Sequence, residues 1–151
     1  MLPLLLLLSQ TIFVVRHAER TGDPDPPLNE QGRARAEALA HTLRDARVKH
    51  FFASDTLRAQ GTAEPAAKAA GRRVEIYKQT ALDELVARVR TAVSKGEAAL
   101  IVGHRETVPR IVKAIGGREI APLKSGEHDR LIVVAPGPAV VELRYGAKSD
   151  E

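Results

Sequence analysis

Short apolar runs alternate along this chain with stretches whose apolar residues recur every three or four positions. The runs fall at 11–15, 48–53, 73–77, 98–102, 131–135 and 139–143. Runs of that length read as strands, and most are separated by enough residues for a helical crossover. That rhythm predicts a mainly parallel sheet with helices packed on both faces. The last two runs are joined only by Pro136-Gly137-Pro138, which reads as a hairpin at a sheet edge. The expected fold class is therefore α/β: a three-layer α/β/α sandwich whose mostly parallel central sheet carries an antiparallel edge strand. With 151 residues the chain is sized for one domain, and 11–146 is assigned to it. The tail 147–151 is expected to fray.

The helices announce themselves by caps and spacing. Asn29 precedes Ala36, Leu39, Ala40 and Leu43, and its side-chain oxygen suits the free amides of a first turn. Ser54 or Asp55 is expected to cap a helix carrying Leu57, Arg58, Thr62 and Ala63, with Pro65 bending or ending it. Leu82, Leu85, Val86, Val89 and Val93 predict a third helix, ending near Gly96. Thr107 and Pro109 begin a fourth, closed by Gly116-Gly117.

Aromatic residues are only 3% of a chain that is 44% hydrophobic, so Leu, Val, Ile and Ala must fill the core. There is no cysteine, which excludes disulfides, thiolate zinc sites and Cys nucleophiles. The net charge of +4 is scattered and barely interleaved with aromatics, so no nucleic-acid face is expected. A basic pocket for a phosphate group accounts for part of the excess. The segment 1–10 is strongly apolar but too short to span a bilayer, which needs about 20 residues. Three readings stay open for it: the remnant of an export signal, an apolar segment packed on the fold, or an interface with another chain. Lack of cysteine fits a cytoplasmic location, and an export remnant would fit a periplasmic one. No stable membrane insertion is expected.

Two of the apolar runs end in histidine: Val15-Arg16-His17 and Val102-Gly103-His104. Ligands of open α/β sheets bind beyond the carboxyl ends of the strands, so two such ends can converge on one crevice. If His17, His104, Arg16 and Arg58 meet there, the guanidinium groups supply forked donors for a phosphoryl group. A neutral imidazole can attack phosphorus, and a second can stabilise the transferring oxygens. A carboxylic acid would protonate the leaving oxygen. No cofactor is called for, and no spacing of His and carboxylates suggests a metal site.

Arg16-His17-Ala18-Glu19 resembles the Arg-His-Gly-Glu signature of the histidine phosphatase superfamily, with its phosphoglycerate-mutase-like fold. Leu28-Asn29-Glu30-Gln31-Gly32 is similar to that family's Leu-Thr-x-x-Gly helix start. The segment from Ser54 to Ala63 resembles its Ser-x-x-x-Arg…Thr-Ala, and Val102-Gly103-His104 its Val-Gly-His. The resemblance implies His17 as the nucleophile that becomes phosphorylated, with Arg16, Arg58 and His104 around the phosphate. It also implies a proton donor between the Arg58 helix and the second histidine, where Glu84 and its rival Asp83 stand. Both also suit an ordinary first helical turn. Arg20 is either on the pocket rim or a solvated loop charge.

After Val-Gly-His the family often has small residues where this chain has Arg105-Glu106, a pair that either narrows the pocket or pairs with itself. The interval from Arg58 to His104 is short and leaves little room for a substrate lid. The layout resembles the small bacterial phosphohistidine phosphatases. The implied partner is a small phosphorylated substrate or a phosphoprotein, and the implied reaction is hydrolysis. A phosphoglycerate-mutase-type phosphotransferase and a non-catalytic phosphate-binding module are the alternatives.

Overall fold

The computed structural model describes residues 10–150. The elements in chain order are β1 (Ile12–Arg16), α1 (Glu30–Leu43), β2 (Val48–Ser54), α2 (Leu57–Ala69), β3 (Val74–Tyr77), α3 (Leu82–Ser94), β4 (Ala98–Gly103), α4 (Thr107–Gly116), β5 (Arg130–Ala135) and β6 (Ala139–Arg144). The apolar segment expected at 1–10 lies, but for Gln10, outside the described residues.

The six strands form one sheet in the order β3-β2-β4-β1-β5-β6. The β3-β2, β2-β4 and β4-β1 pairs are parallel. Strand β5 runs antiparallel to both β1 and β6. The reversed strand is thus β5, one position in, and its hairpin partner β6 makes the edge.

Strand β4 shows how the layers are fixed. All six of its residues are buried, as expected of a strand covered on both faces. Ala99 and Ile101 face one apolar cluster with Leu85 and Val89 of α3 and Val108, Ile111 and Val112 of α4. Ala98, Leu100 and Val102 face the other, with Leu39 and Leu43 of α1 and the alanines of α2. Burying a leucine or isoleucine of this kind stabilises the fold by about 1.5–3 kcal/mol. The scarcity of aromatics is met by small alanines, which let α2 lie close to β2 and β4.

The motif glycines mark close approaches. A Cβ on Gly32 would stand 2.1 Å from the Glu19 carbonyl oxygen, so only glycine lets the start of α1 reach the loop behind β1. Asn29 completes that join: its amide donates to the Glu19 oxygen at 3.1 Å, and its side chain accepts from the Gly32 amide at 2.9 Å. A Cβ on Gly103 would meet the Thr107 hydroxyl at 2.9 Å. Ala18, where the family pattern has glycine, is fully buried against Leu28 and Ala36.

Three local expectations are corrected. The N-cap of α2 is Thr56, which accepts from the Ala59 amide at 3.3 Å. Ser54 belongs to β2 and spends its hydroxyl on His104, while Asp55 is exposed. Helix α2 does not stop at Pro65 but runs on to Ala69, held by packing of Ala59, Ala63, Ala66 and Ala67 in the core. The tail is not frayed at Lys148. Ser149 is buried, its hydroxyl accepting from the His128 amide at 2.8 Å and its own amide donating to Asp129 Oδ2 at 3.2 Å. Arg35 Nη1 and Nη2 donate to the Tyr145 and Ala147 carbonyls at 3.1 and 2.9 Å. The tail supplies acceptors that a buried arginine needs, and that fixes it.

Candidate active site

Strands β1 and β4 lie side by side and in parallel, with Arg16 level with Gly103. The pairing continues one residue further, where the His17 amide donates to the Gly103 carbonyl at 2.9 Å. Adjacent parallel strands ending at the same level must deliver His17 and His104 side by side. Their ring centroids are 5.2 Å apart, tilted by 58°. The Ala18 amide donates to Thr62 Oγ1 at 2.8 Å, and that hydroxyl donates to the Arg58 carbonyl at 2.7 Å. The first turn of α2, bearing Arg58, is so tied to the loop behind His17.

The His17 ring has a defined tautomer. Its Nδ1 lies 2.8 Å from the Ala18 carbonyl oxygen, which can only accept, so Nδ1 carries the proton and Nε2 keeps its lone pair. Burial is the main cause that pushes its pKa down to about 3, with the Arg16, His104 and Arg58 charges adding to it. His104 Nε2 is 2.7 Å from Ser54 Oγ, and its amide donates to Thr107 Oγ1 at 2.9 Å. Burial and then the Arg58 charge take it down to about 4. Both rings are therefore neutral at pH 7, which is the form a nucleophilic imidazole requires.

The two arginines are held at their tips and unsatisfied at their necks. Arg16 Nη1 donates to the carbonyls of Lys124, Ser125 and Glu127 at 3.2, 2.9 and 3.0 Å. Arg58 Nη1 donates to Asp25 Oδ1 at 3.3 Å. The Nε atom of each is buried with no hydrogen-bond partner. An unmade buried donor costs about 1–3 kcal/mol, more on a charged group. Two of them on cations flanking a neutral histidine pair are the pattern of a site shaped for an oxyanion.

The other expected site residues lie further out. Arg20 bonds to the Gly22 carbonyl and pairs with Asp23 at 3.1 Å, a third exposed. Arg105 and Glu106 pair with each other at 2.9 Å on the surface. Asp83 and Glu84 are exposed in the first turn of α3 and make no hydrogen bond or ion pair. Neither is among the charged groups that act most strongly on His17 or His104. The carboxylates acting on His104 are Glu106 and Asp55.

Two features escape a reading of the sequence. Glu19 is buried and accepts from Arg35 Nε on both oxygens at 2.9 Å. His128, from the loop before β5, donates through Nδ1 to the His17 carbonyl at 2.8 Å. Its ring lies 5.6 Å from the His17 ring. A lone histidine in a polar loop carries no spacing signal that could have revealed it.

The neutral rings predict an acid-labile fold. His17 and His104 are held below the ordinary histidine value, so the unfolded chain binds more protons between about pH 4 and 6.5. Stability must then fall as pH falls through that window. Each ring contributes a loss of about 2 kcal/mol between pH 7 and 5. Urea denaturation of His17→Asn and His104→Asn across that range should show a shallower pH slope than the parent. Equal slopes would show that the rings are protonated in the folded protein.

A family model described as histidine phosphatase superfamily (branch 1) matches residues 12–89, the span from β1 into α3 that carries Arg16, His17 and Arg58. The chain belongs to the histidine phosphatase superfamily. His104 lies beyond that match, and its place beside His17 comes from the fold.

Solved structures of the superfamily's fold superpose over most of the chain. The protein histidine phosphatase SixA complexed with tungstate is similar at a TM-score of 0.69 and 16% identity, covering 91% of this chain and 96% of that one. SixA from Agrobacterium tumefaciens gives 0.67 at 23% identity, covering 91% and 97%. A mycobacterial glucosyl-3-phosphoglycerate phosphatase with VO3 gives 0.68 at 16% identity, covering 91% and 99%. No curated protein sequence matches. Among the described residues no helix is long and apolar enough to cross a membrane.

Proposed function

We propose that this histidine phosphatase superfamily member is a metal-independent phosphatase acting on phosphomonoesters or a phosphoprotein through a phosphohistidine on His17. One observation carries the reading. A neutral imidazole with its free nitrogen fixed as Nε2 stands beside a second imidazole and two arginines with buried, unpaired Nε donors. Two of the similar structures hold tungstate and VO3, which as oxyanions resemble phosphate.

The chemistry is set by that geometry. Arg16 and Arg58 bind the phosphoryl oxygens through Nε and neutralise their charge, the task a divalent cation would otherwise perform. His17 Nε2 attacks phosphorus while the Ala18 carbonyl holds the Nδ1 proton. That hydrogen bond also disperses the positive charge the ring gains on phosphorylation. His104, oriented by Ser54 and Thr107, faces the oxygens on which charge builds in the transition state. Only β3 and α3 separate the Arg58 helix from β4. With so short an insert, water reaches the phosphohistidine, which favours hydrolysis over transfer to a second sugar phosphate.

Acid-stable quenching is the wrong test, since phosphohistidine is lost in acid. Alkaline quench after mixing with a labelled phosphate ester should leave label on the peptide containing His17. Activity should survive EDTA. No label, or loss of turnover with EDTA that a divalent cation restores, would overturn the reading. The exposure of Asp83 and Glu84 favours one rival, a phosphate-binding module that does not turn over. Binding of phosphate without hydrolysis of any ester would establish it.

A further inference from the structure

Among the described residues no carboxylic acid is hydrogen-bonded to the ring of His17 or His104. A phosphate ester with an ordinary alcohol as leaving group needs a proton donor, because an alkoxide is a poor leaving group near pH 7. The two carboxylic acids expected to serve are exposed on α3 without a partner.

We propose that His128 is a catalytic residue that donates a proton to the leaving oxygen and then takes one from the attacking water. The inference rests on the phosphohistidine reading above.

Three observations carry it. First, His17 has two imidazole neighbours, His104 at 5.2 Å and His128 at 5.6 Å between ring centroids. Second, the two neighbours differ in which nitrogen is committed. His104 Nε2 is held by Ser54, whereas His128 spends Nδ1 on the His17 carbonyl at 2.8 Å, and Nε2 makes no hydrogen bond. That atom is not sealed in the interior, since the ring is only half-buried. Third, the loop that carries His128 is bound to the site. Arg16 Nη1 takes the carbonyls of Lys124, Ser125 and Glu127, and Ser149 accepts from the His128 amide.

The charged groups around the ring suit a proton carrier. Burial lowers the basicity of His128, and Arg16 and Arg35 lower it further. The hydrogen bond to the His17 carbonyl and the Glu19 carboxylate act the other way. A phosphate dianion arriving between the arginines adds negative charge beside it and favours the imidazolium. In the first step His17 Nε2 forms a bond to phosphorus, the ester P–O bond breaks, and the leaving oxygen takes the Nε2 proton of His128. In the second a water oxygen bonds to phosphorus, the P–N bond to His17 breaks, and neutral His128 Nε2 accepts the water's proton. Protons balance over the cycle.

The test is His128→Asn. Asparagine keeps an N–H donor at the position of Nδ1 for the His17 carbonyl and removes the titratable nitrogen. With a simple alkyl phosphate, kcat/KM should fall about 10²–10⁴-fold, the range for loss of a general acid. With 4-nitrophenyl phosphate, whose leaving group needs no proton at pH 7, it should fall less than about tenfold. The dependence of rate on leaving-group pKa should steepen. An equal loss with both esters would reduce His128 to a support for the His17 backbone, and no loss with either would remove it from the reaction. His17→Ala as a parallel variant separates this inference from its foundation: if that variant still turns over, it is the phosphohistidine reading that has failed. The thermal transition of His128→Asn, compared with the parent, confirms that folded protein is assayed.

Discussion

His17→Ala is expected to lower kcat/KM for any phosphate ester by about 10⁴-fold or more, a loss typical of removing a covalent nucleophile. Neither neighbouring imidazole is placed as His17 is, with Nδ1 on the Ala18 carbonyl and Nε2 unbonded. His104 Nε2 is bound to Ser54, and His128 reaches the His17 main chain rather than its ring nitrogen. The variant should still bind phosphate, because both orphan Nε donors remain on Arg16 and Arg58. It should also fold, since His17 contributes no side-chain hydrogen bond beyond its own neighbour's carbonyl. Steady-state rates with 4-nitrophenyl phosphate and a phosphate competition measurement check both halves. Turnover within about tenfold of the parent would mean that the reaction does not pass through this imidazole.

Arg35→Leu is expected to cost about 3–5 kcal/mol of stability, the loss seen when one partner of a buried ion pair is removed. The Arg35 side chain is 1% exposed and that of Glu19 10%, with contacts of 2.8–2.9 Å. Burial alone would push the Glu19 carboxyl up, and the hydrogen bonds from Arg35 bring it below its usual value. Without the guanidinium a carboxylate is left uncompensated two residues from His17, and the Tyr145 and Ala147 carbonyls lose their donor. For a domain of this size the loss corresponds to a fall of roughly 6–20 °C in Tm. Adding Glu19→Gln should recover part of it, because a neutral amide is cheaper to bury. A change of less than about 1 kcal/mol in urea denaturation would show that the pair is no more than a surface contact.

The fold was legible because it depends on patterns the chain repeats. Apolar runs, helical spacing and the prolines between β5 and β6 define the layers. The two strand-terminal histidines were expected to meet and do, since parallel neighbours ending together must present their next residues side by side. The features that stayed hidden depend on partners far off in sequence. Pro65 reads as a breaker by its own chemistry, yet packing in the core carries α2 through it. Thr56 rather than Ser54 caps that helix because Ser54 is claimed by His104, fifty residues on. Neither Asp83 nor Glu84 shows by spacing that its side of α3 faces solvent. His128 and the tail to Ser149 come to His17 and Arg35 only through tertiary contact, and no periodicity marks them.

Strand β1 has an unusual place in time as well as in space. Both of its hydrogen-bonded neighbours, β4 and β5, lie in the second half of the chain. The carbonyl of His17, just beyond it, accepts from the ring of residue 128, and Glu19 relies on an arginine that waits for residues 145 and 147. Pairing over such separations makes for slow folding. On the ribosome, β1 therefore emerges long before the strands it pairs with, and no half-made chain can assemble the histidine pair.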